Sequence, residues 1–563
     1  MKKRIGVIID SIEVTKQIYD LVQLSKKSKN YQISTLLINE TSDHNKNIIT
    51  KIVSKIQNYG LTRCLSNIVF KAICKLESVY LKRLVKYSNF YNKFQLHEED
   101  EFEIIKIKPK TSKDSLIIEY TKPDLEKIKN AKLDLLIYTS TGNLKGEILT
   151  VCPNGIVATH YSDDEKNQIG PPGFWEVYDR RPRTGFIIQR LKDEFGQAEI
   201  LYRGFVATSW FYSLNLANLY EIANPYLHDA IEDITSKKSS LNIHKTKIAT
   251  QILPSFPSII HSFIYLLKTT RILLEKLFIA YGGRCYRWNV AYQFIDTWHN
   301  AELNQSIKIP NPQNRFLADP FVIYRNGSHY CFVEDYNLLK KKGSISVYKL
   351  SPGSSTELGT ALVEDFHLSY PYLFEFNNEL YMCPETSEKR EIRIYKCIDF
   401  PLRWVFHKTL MYDVSAADTS IFAHDDKWWM LTNLDRSSIC DLSSQLHIFY
   451  ASNPMTDDWI PHINNPVIFD PLTGRNGGLI KDMNSIYRVY QRQGFDLYGE
   501  AFGVAKIDKL TTLEYSEKSL FEAEPTFFKG IKGTHTFNFA KGILVLDHVE
   551  ITKKKTGTKI TKP

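Results

Sequence analysis

The sequence has no pair of cysteines in C-x-x-C spacing. Its eight cysteines are scattered, so zinc-ribbon and thioredoxin-like chemistry are excluded and no metal site is expected. Cys331 in HYCFVED and Cys383 in LYMCPET lie in apolar strand patterns, which fits free, buried thiols in a reducing compartment. No run of about 18 purely apolar residues occurs, so no spanning helix is predicted. At the N-terminus only GVII separates the basic start from Asp10, which reads as a first strand rather than a signal peptide. A cytoplasmic protein, peripheral at most to the inner face of a membrane, is the resulting expectation. A P-loop and a G-x-G-x-x-G turn at the first strand are missing, which removes the familiar NTP and dinucleotide sites. Zinc-finger, RNP-like and helix-turn-helix signatures are also missing, so nucleic acid is not an expected partner.

What is present is length, aromatic content and positive charge. A chain of 563 residues exceeds one core and predicts two domains. Aromatics make up 13%, with 32 Tyr and 31 Phe, which suits strands first and sugar-stacking surfaces second. Part of the net charge of +9 sits in a basic tail over 553–563, either a solvated end or a contact for anionic lipid.

Residues 1–235 alternate between strand and helix patterns, beginning RIGVIID, EVTKQIYDLVQLSKK and YQISTLLIN. That order predicts a doubly wound α/β domain. A helix is read within 50–95 from the spacing of Val53, Ile56, Ile68, Val69, Ile73 and Leu76. Residues 236–285 read as a linker. It contains an amphipathic helix over 255–281, whose broad face carries Ile260, Phe263, Ile264, Leu267, Ile272, Leu274, Leu277 and Phe278. That face either packs between domains or lies on a membrane surface.

From 286 to 552 one pattern recurs five times at intervals of roughly 50 to 60 residues: a polar residue, an apolar strand, a tight turn and an aromatic strand. A repeat of this size with about four strands is a propeller blade, so a five-bladed β-propeller is predicted. WNVAYQFI at 288–295 precedes the first unit and is expected to complete the last blade. Inner strands begin at one mouth of a propeller, which brings together Asp319, Tyr370, Asp418, Arg475 and His535. The ends of second strands add Glu334, Asp335, Glu385 and Gln491. Carboxylates in such a ring accept sugar hydroxyls and serve as acid, base or nucleophile. Arg475 is placed to grip a phosphate or carboxylate, or to pair with a blade acid.

The A-D-P-F at Ala318–Phe321 resembles the first-blade motif of five-bladed glycoside hydrolases of the arabinanase and β-xylosidase type, which implies a general base at Asp319. FLADPFV, FVEDY, SYPYLFE, MCPETS, ADTSIF and WWMLTN resemble the propeller domain associated with glucosamine inositolphosphorylceramide transferase and its bacterial relatives. That resemblance implies handling of glycans or sugar donors. Residues 155–204 resemble the core of formyltransferases that use formyl-tetrahydrofolate, in His160, Thr184–Gly185 and Glu199–Leu201. The Asn of that family falls on Ala158 and its Asp on Gly196, so His160 is the one catalytic group kept. Asp163 and Asp164 follow it. Arg180 and Arg181, in a Gly/Pro-rich stretch, are candidates for binding an anionic donor.

The reading that follows is a bacterial-type enzyme of surface-polysaccharide or glycolipid assembly, performing glycosyl transfer with a nucleotide-sugar donor. Catalytic candidates are Asp319, Asp418, Glu385 and His160. Glu334, Asp335, Tyr370, Arg475, Gln491, His535, Arg180 and Arg181 are binding candidates. The alternatives are a sugar N-formyltransferase using formyl-tetrahydrofolate, a glycoside hydrolase, and a glycan-binding scaffold without activity.

Overall fold

The computed structural model describes residues 2–40, 60–96, 102–111, 117–139, 142–161, 168–191, 197–236, 244–247, 253–254, 256–437, 439–482 and 485–553. Asp163, Asp164, Gly196, most of the polar run at 236–247 and the basic tail beyond Lys553 lie outside the described residues. The chain divides into two compact units, residues 1–270 with 437–439, and residues 271–436 with 440–563. The division falls inside a helix rather than at 235 or 286.

In the first unit, the strand Lys3–Ile9 buries Ile5, Val7, Ile8 and Ile9 almost completely. A strand apolar on both faces belongs in the middle of a parallel sheet. It pairs in parallel with Tyr31–Asn39 on one side and with Leu135–Tyr138 on the other. Glu103–Ile107 and Ile156–His160 extend the parallel part at its two ends. The sequence predicted this doubly wound core, but three antiparallel strands continue the sheet: Arg183–Leu191, Gln197–Ala207 and His244–Lys247. The first two are joined through 192–196, a connection short enough only for an antiparallel pair.

Two helices depart from the expected packing. Leu61–Leu81 buries Ser66, Phe70, Ile73 and Leu81, while Ile68 and Leu76, part of the apolar spacing that predicted the helix, face solvent. Its expected N-terminal half, with Val53 and Ile56, lies outside the described residues. Ile259–Tyr281 buries only Ser262 and Tyr265. Most of the broad apolar face of this helix is exposed, with Ile264 and Ile272 half-buried. The reason is a polar anchor: the Tyr265 hydroxyl donates to Glu77 and accepts the Tyr212 N–H at 2.8 Å. Burial pushes the Glu77 carboxyl up, and an unpaired buried carboxyl is costlier than exposed Leu or Phe. The anchor therefore sets the rotation of the helix about its axis.

The second unit holds five antiparallel sheets. Four run consecutively, from Arg315–Arg325 to Ser354–Leu362, Ser369–Phe376 to Arg403–Tyr412, Ala416–His424 to Ile460–Pro461, and Arg475–Asp482 to Tyr515–Ala523. The fifth combines both ends of the unit. Arg284–Phe294 pairs with Ile543–Lys553 along its whole length, as WNVAYQFI predicted, and Phe537–Ala540 pairs with the latter's other edge. First strands neighbour one another in order, and Phe537–Ala540 returns beside Arg315–Arg325. This closed succession of sheets is the arrangement of a β-propeller. Apolar layers such as Phe332, Ile345, Val347, Met382 and Tyr395 fill the space between successive sheets.

Candidate active site at the inner strands of the second unit

Three first strands contain the same irregularity. Ala318 faces Glu334 and Phe321 faces Phe332, so Asp319 and Pro320 together oppose one residue. Ser369 to Tyr372 and Ala417 to Ser420 repeat this bulge. Asp319, Tyr370 and Asp418 each take positive φ there, at 47°, 48° and 51°. A bulge re-aims side chains, and left-handed backbone is tolerable for Asp but strained for Tyr. Three such residues clustered at corresponding positions mark a place where geometry has been held against local preference.

Asp319 is the centre of one half of the site. Its carboxylate accepts the Tyr370 N–H at 3.2 Å and the Thr536 hydroxyl at 2.9 Å. His535 Nε2 stands 3.7 Å away. The other ring nitrogen, Nδ1, lies 2.6 Å from Asp547. Asp547 also accepts the backbone N–H groups of Asp319, His535 and Thr536. Burial opposes charge on both members of this pair, yet their mutual attraction raises the His535 pKa and lowers that of Asp547. His535 thus binds its second proton more tightly than a free imidazole, between the carboxyl groups of Asp547 and Asp319. Oxygen and nitrogen atoms of Asp319, His535 and Asp547 lie within 4.8 Å of one another.

Asp418 is the centre of the other half. Arg475 Nε donates to it at 2.6 Å and Gln491 Nε2 at 2.8 Å. The Arg475 guanidinium also lies 3.7 Å from Glu385 and over the Tyr498 ring at 4.9 Å. Of the two partners foreseen for Arg475, the structure supplies the blade acid. Burial pushes Asp319 up to about 6, with His535 pulling it back and the Asp418 charge adding to the rise. Burial likewise pushes Asp418 up to about 6 against the pull of Arg475. Glu334 rises well above the carboxylate range, through burial and then the charges of Asp319 and Glu385. Glu334 thus binds its proton more tightly than an ordinary carboxyl, next to Asp319, with Glu385, held by the Ser387 hydroxyl at 2.7 Å, close by.

Two predicted members stand apart from this group. Asp335 follows Glu334 on the same strand and so points to the opposite face. There it pairs with Arg315 and accepts the Ser346 hydroxyl, which corrects its assignment to the mouth. Tyr370 contributes its backbone N–H, but its ring is buried against Phe321 and its hydroxyl meets Ser420 at 3.0 Å. As a substrate-binding side chain it is also corrected. His160, Arg180 and Arg181 belong to the first unit. His160 ends the strand Ile156–His160 opposite Ile187. Arg180 caps the short helix Phe174–Asp179 in left-handed conformation, and Arg181 pairs with Asp179 at 2.7 Å.

Sequence reading missed Asp547, Trp288 and Tyr498. Trp288 stacks on His535 at 3.9 Å between ring centres, and Tyr498 meets His535 edge-on at 5.3 Å. Tyr498 is 42% exposed, so an aromatic rim stands at solvent above buried acids. The signal for Asp547 was available in LVLDHVE, the second strand of the last repeat. Trp288 lies inside the strand Arg284–Phe294 that closes the ring, and nothing local distinguishes it.

Several known proteins are similar to this chain. A protein of Oryza sativa subsp. japonica named glucosamine inositolphosphorylceramide transferase 1 is 36% identical over 211 residues, covering 37% of this chain and 28% of the relative. The protein of that name from Arabidopsis thaliana is 35% identical over 212 residues, covering 37% and 27%. The chain thus spans little more than a quarter of these curated relatives. Among solved structures, a Bombyx mori GH32 β-fructofuranosidase aligns with TM-score 0.32 and 12% identity over 49% of this chain and 61% of its own. A Coprinopsis cinerea GH62 α-L-arabinofuranosidase aligns with TM-score 0.32 and 11% identity, over 47% and 97%. Residues 288–560, just under half of the chain and containing the whole site, match the family described as glucosamine inositolphosphorylceramide transferase 1, N-terminal.

Proposed function

We propose that this protein is a carbohydrate-active enzyme of glycolipid or surface-polysaccharide assembly, that its reaction is glycosyl transfer, and that the five sheets are the blades of a five-bladed propeller. The observation that carries the reading is the pair Asp319 and Asp418, buried on equivalent bulges and each with a pKa near 6. A carboxylate that ionises near the working pH is suited to general base catalysis. In the proposed step Asp319 takes the proton of an acceptor hydroxyl as that oxygen bonds to the anomeric carbon. The donor's bond to its leaving group breaks with the electron pair departing on the leaving oxygen. Glu334, whose proton affinity burial and the Asp319 charge raise, supplies a proton to that oxygen where the leaving group requires one. Arg475 and His535 balance the negative charge, and Trp288 and Tyr498 offer ring faces to a sugar. The plant relatives' name as transferases supports this reading.

The test is mass spectrometry of products after incubation with nucleotide sugars and glycan or glycolipid acceptors, for the wild type, Asp319→Asn and Asp418→Asn. Transfer product abolished by either substitution is expected. Release of free sugar in place of transfer product would make the protein a hydrolase. Saturable glycan binding without any product would make it a binding scaffold.

For the first unit we infer a formyltransferase-like outline, supported by His160 at the end of a parallel strand two places from the central strand Lys3–Ile9. Ala158 stands where that family has Asn, so the formyl reaction is not expected. Consumption of formyl-tetrahydrofolate with an amino-sugar nucleotide would restore the formyltransferase alternative.

A further inference from the structure

The first unit presents apolar surface where none is expected. On the helix Leu61–Leu81 the residues Leu61, Leu65, Ile68, Ala72, Leu76 and Val79 recur at three- and four-residue steps and are all exposed, Leu76 by 70%. Together they form one stripe, about 28 Å long at 1.5 Å per residue, on the side opposite the buried Phe70 and Ile73. The helix Ile259–Tyr281 repeats the feature with Ile260, Phe263, Leu266 and Leu267, Ile260 being 70% exposed. The two helices are tied together by the Tyr265–Glu77 hydrogen bond, and Arg63 lies over the Phe256 ring at 5.8 Å. The two helices are therefore neighbours within the first unit, joined through faces other than their stripes, which leaves both stripes turned outward.

Charge beside the first stripe has one sign. Lys71, Lys75, Lys82 and Arg83 are exposed along and just beyond the first helix. The only acid between Leu61 and Lys86 is Glu77, which is consumed by Tyr265 and the Ser213 N–H. On the second helix the one acid, Glu275, is paired with Arg271 at 3.0 Å. We propose that these two helices form a docking surface for an anionic lipid bilayer, lying in its interfacial plane. Apolar side chains would enter the boundary between headgroups and acyl chains, with the lysines at the level of the phosphates. Among the described residues no helix is long and apolar enough to cross a membrane, which agrees with a surface position. A second copy of the chain is a poorer occupant, since it would bring a like-charged surface against this one.

The experiment is flotation of the full chain with vesicles of phosphatidylcholine alone and of phosphatidylcholine with an equal part of phosphatidylglycerol, at low and high salt. Binding to the anionic vesicles, weakened by salt, is expected. The double substitutions Phe263→Asp/Leu267→Asp and Lys71→Glu/Lys75→Glu should each weaken it about tenfold or more. Because these side chains are exposed, the circular dichroism spectrum and Tm should stay as in the wild type. No binding to anionic vesicles at low salt, equal binding to both compositions, or binding by the folded variants as tight as the wild type would overturn the proposal. So would sedimentation showing a wild-type dimer that Phe263→Asp dissociates.

Discussion

Asp319, Tyr370 and Asp418 share a backbone conformation that costs L-residues about 1–2 kcal/mol, less for Asp than for Tyr. Asn adopts it as readily as Asp, so Asp319→Asn should keep the bulge and the Tyr370 N–H bond through its amide oxygen, with the amide NH2 donating to Thr536, while removing the base. Turnover is expected to fall by about 10²–10⁴-fold, with Tm within a few degrees of wild type; a larger fall in Tm would assign Asp319 a structural role. The pH dependence has two opposite signs. Asp319 and Asp418 bind protons more tightly folded than unfolded, so their contribution to stability is full below the ordinary value of 3.8 and is lost as pH rises through about 6. Turnover should instead rise through about pH 6 as the base ionises. Tm and kcat/KM measured between pH 4 and 8 check both, and Asp418→Asn should flatten part of the stability loss. At this scale the triplets A-D-P, S-Y-P and A-D-T were legible as repeats. The bulge that turns them into a cluster was not, because no local preference asks a tyrosine for positive φ.

Strands of the second unit pack so closely that some positions admit no side chain. A Cβ at Gly503 would stand 2.1 Å from Cζ of Tyr490, whose hydroxyl is held by Ser519 and Glu522. Gly503→Ala is therefore expected to cost about 1–3 kcal/mol through overpacking. Chemical denaturation would show it as a lower midpoint at unchanged slope. Strand alternation and hairpin turns made these elements readable in advance. Helices were harder: Leu61–Leu81 and Ile259–Tyr281 are apolar on more than one side, and periodicity cannot say which side meets a core. For the second of them a single buried tyrosine, Tyr265, decided the matter.

Each unit has its own core: one around Ile8, Leu37 and Leu136, the other in the layers between sheets. Calorimetry should accordingly resolve two transitions. Gly503→Ala should lower one of them and Ile137→Ala, in the central parallel sheet, the other. A single transition moved equally by both substitutions would count against separate cores. The strand Arg284–Phe294 joins the end of the chain to its middle, and the sequence foretold this because a repeat left one strand short must borrow it.

The sequence alone determined the class of each half, the recurrence of five similar units and most of the acidic candidates, since these depend on period, turn chemistry and residue type. Tertiary structure decided what those residues become. It separated Asp335 from Glu334, turned the Tyr370 ring inward, and brought Asp547 and Trp288 onto His535 across the closing strand. Charge and burial act through space, so a carboxylate's pKa and a helix's exposed face depend on neighbours that the chain order does not name.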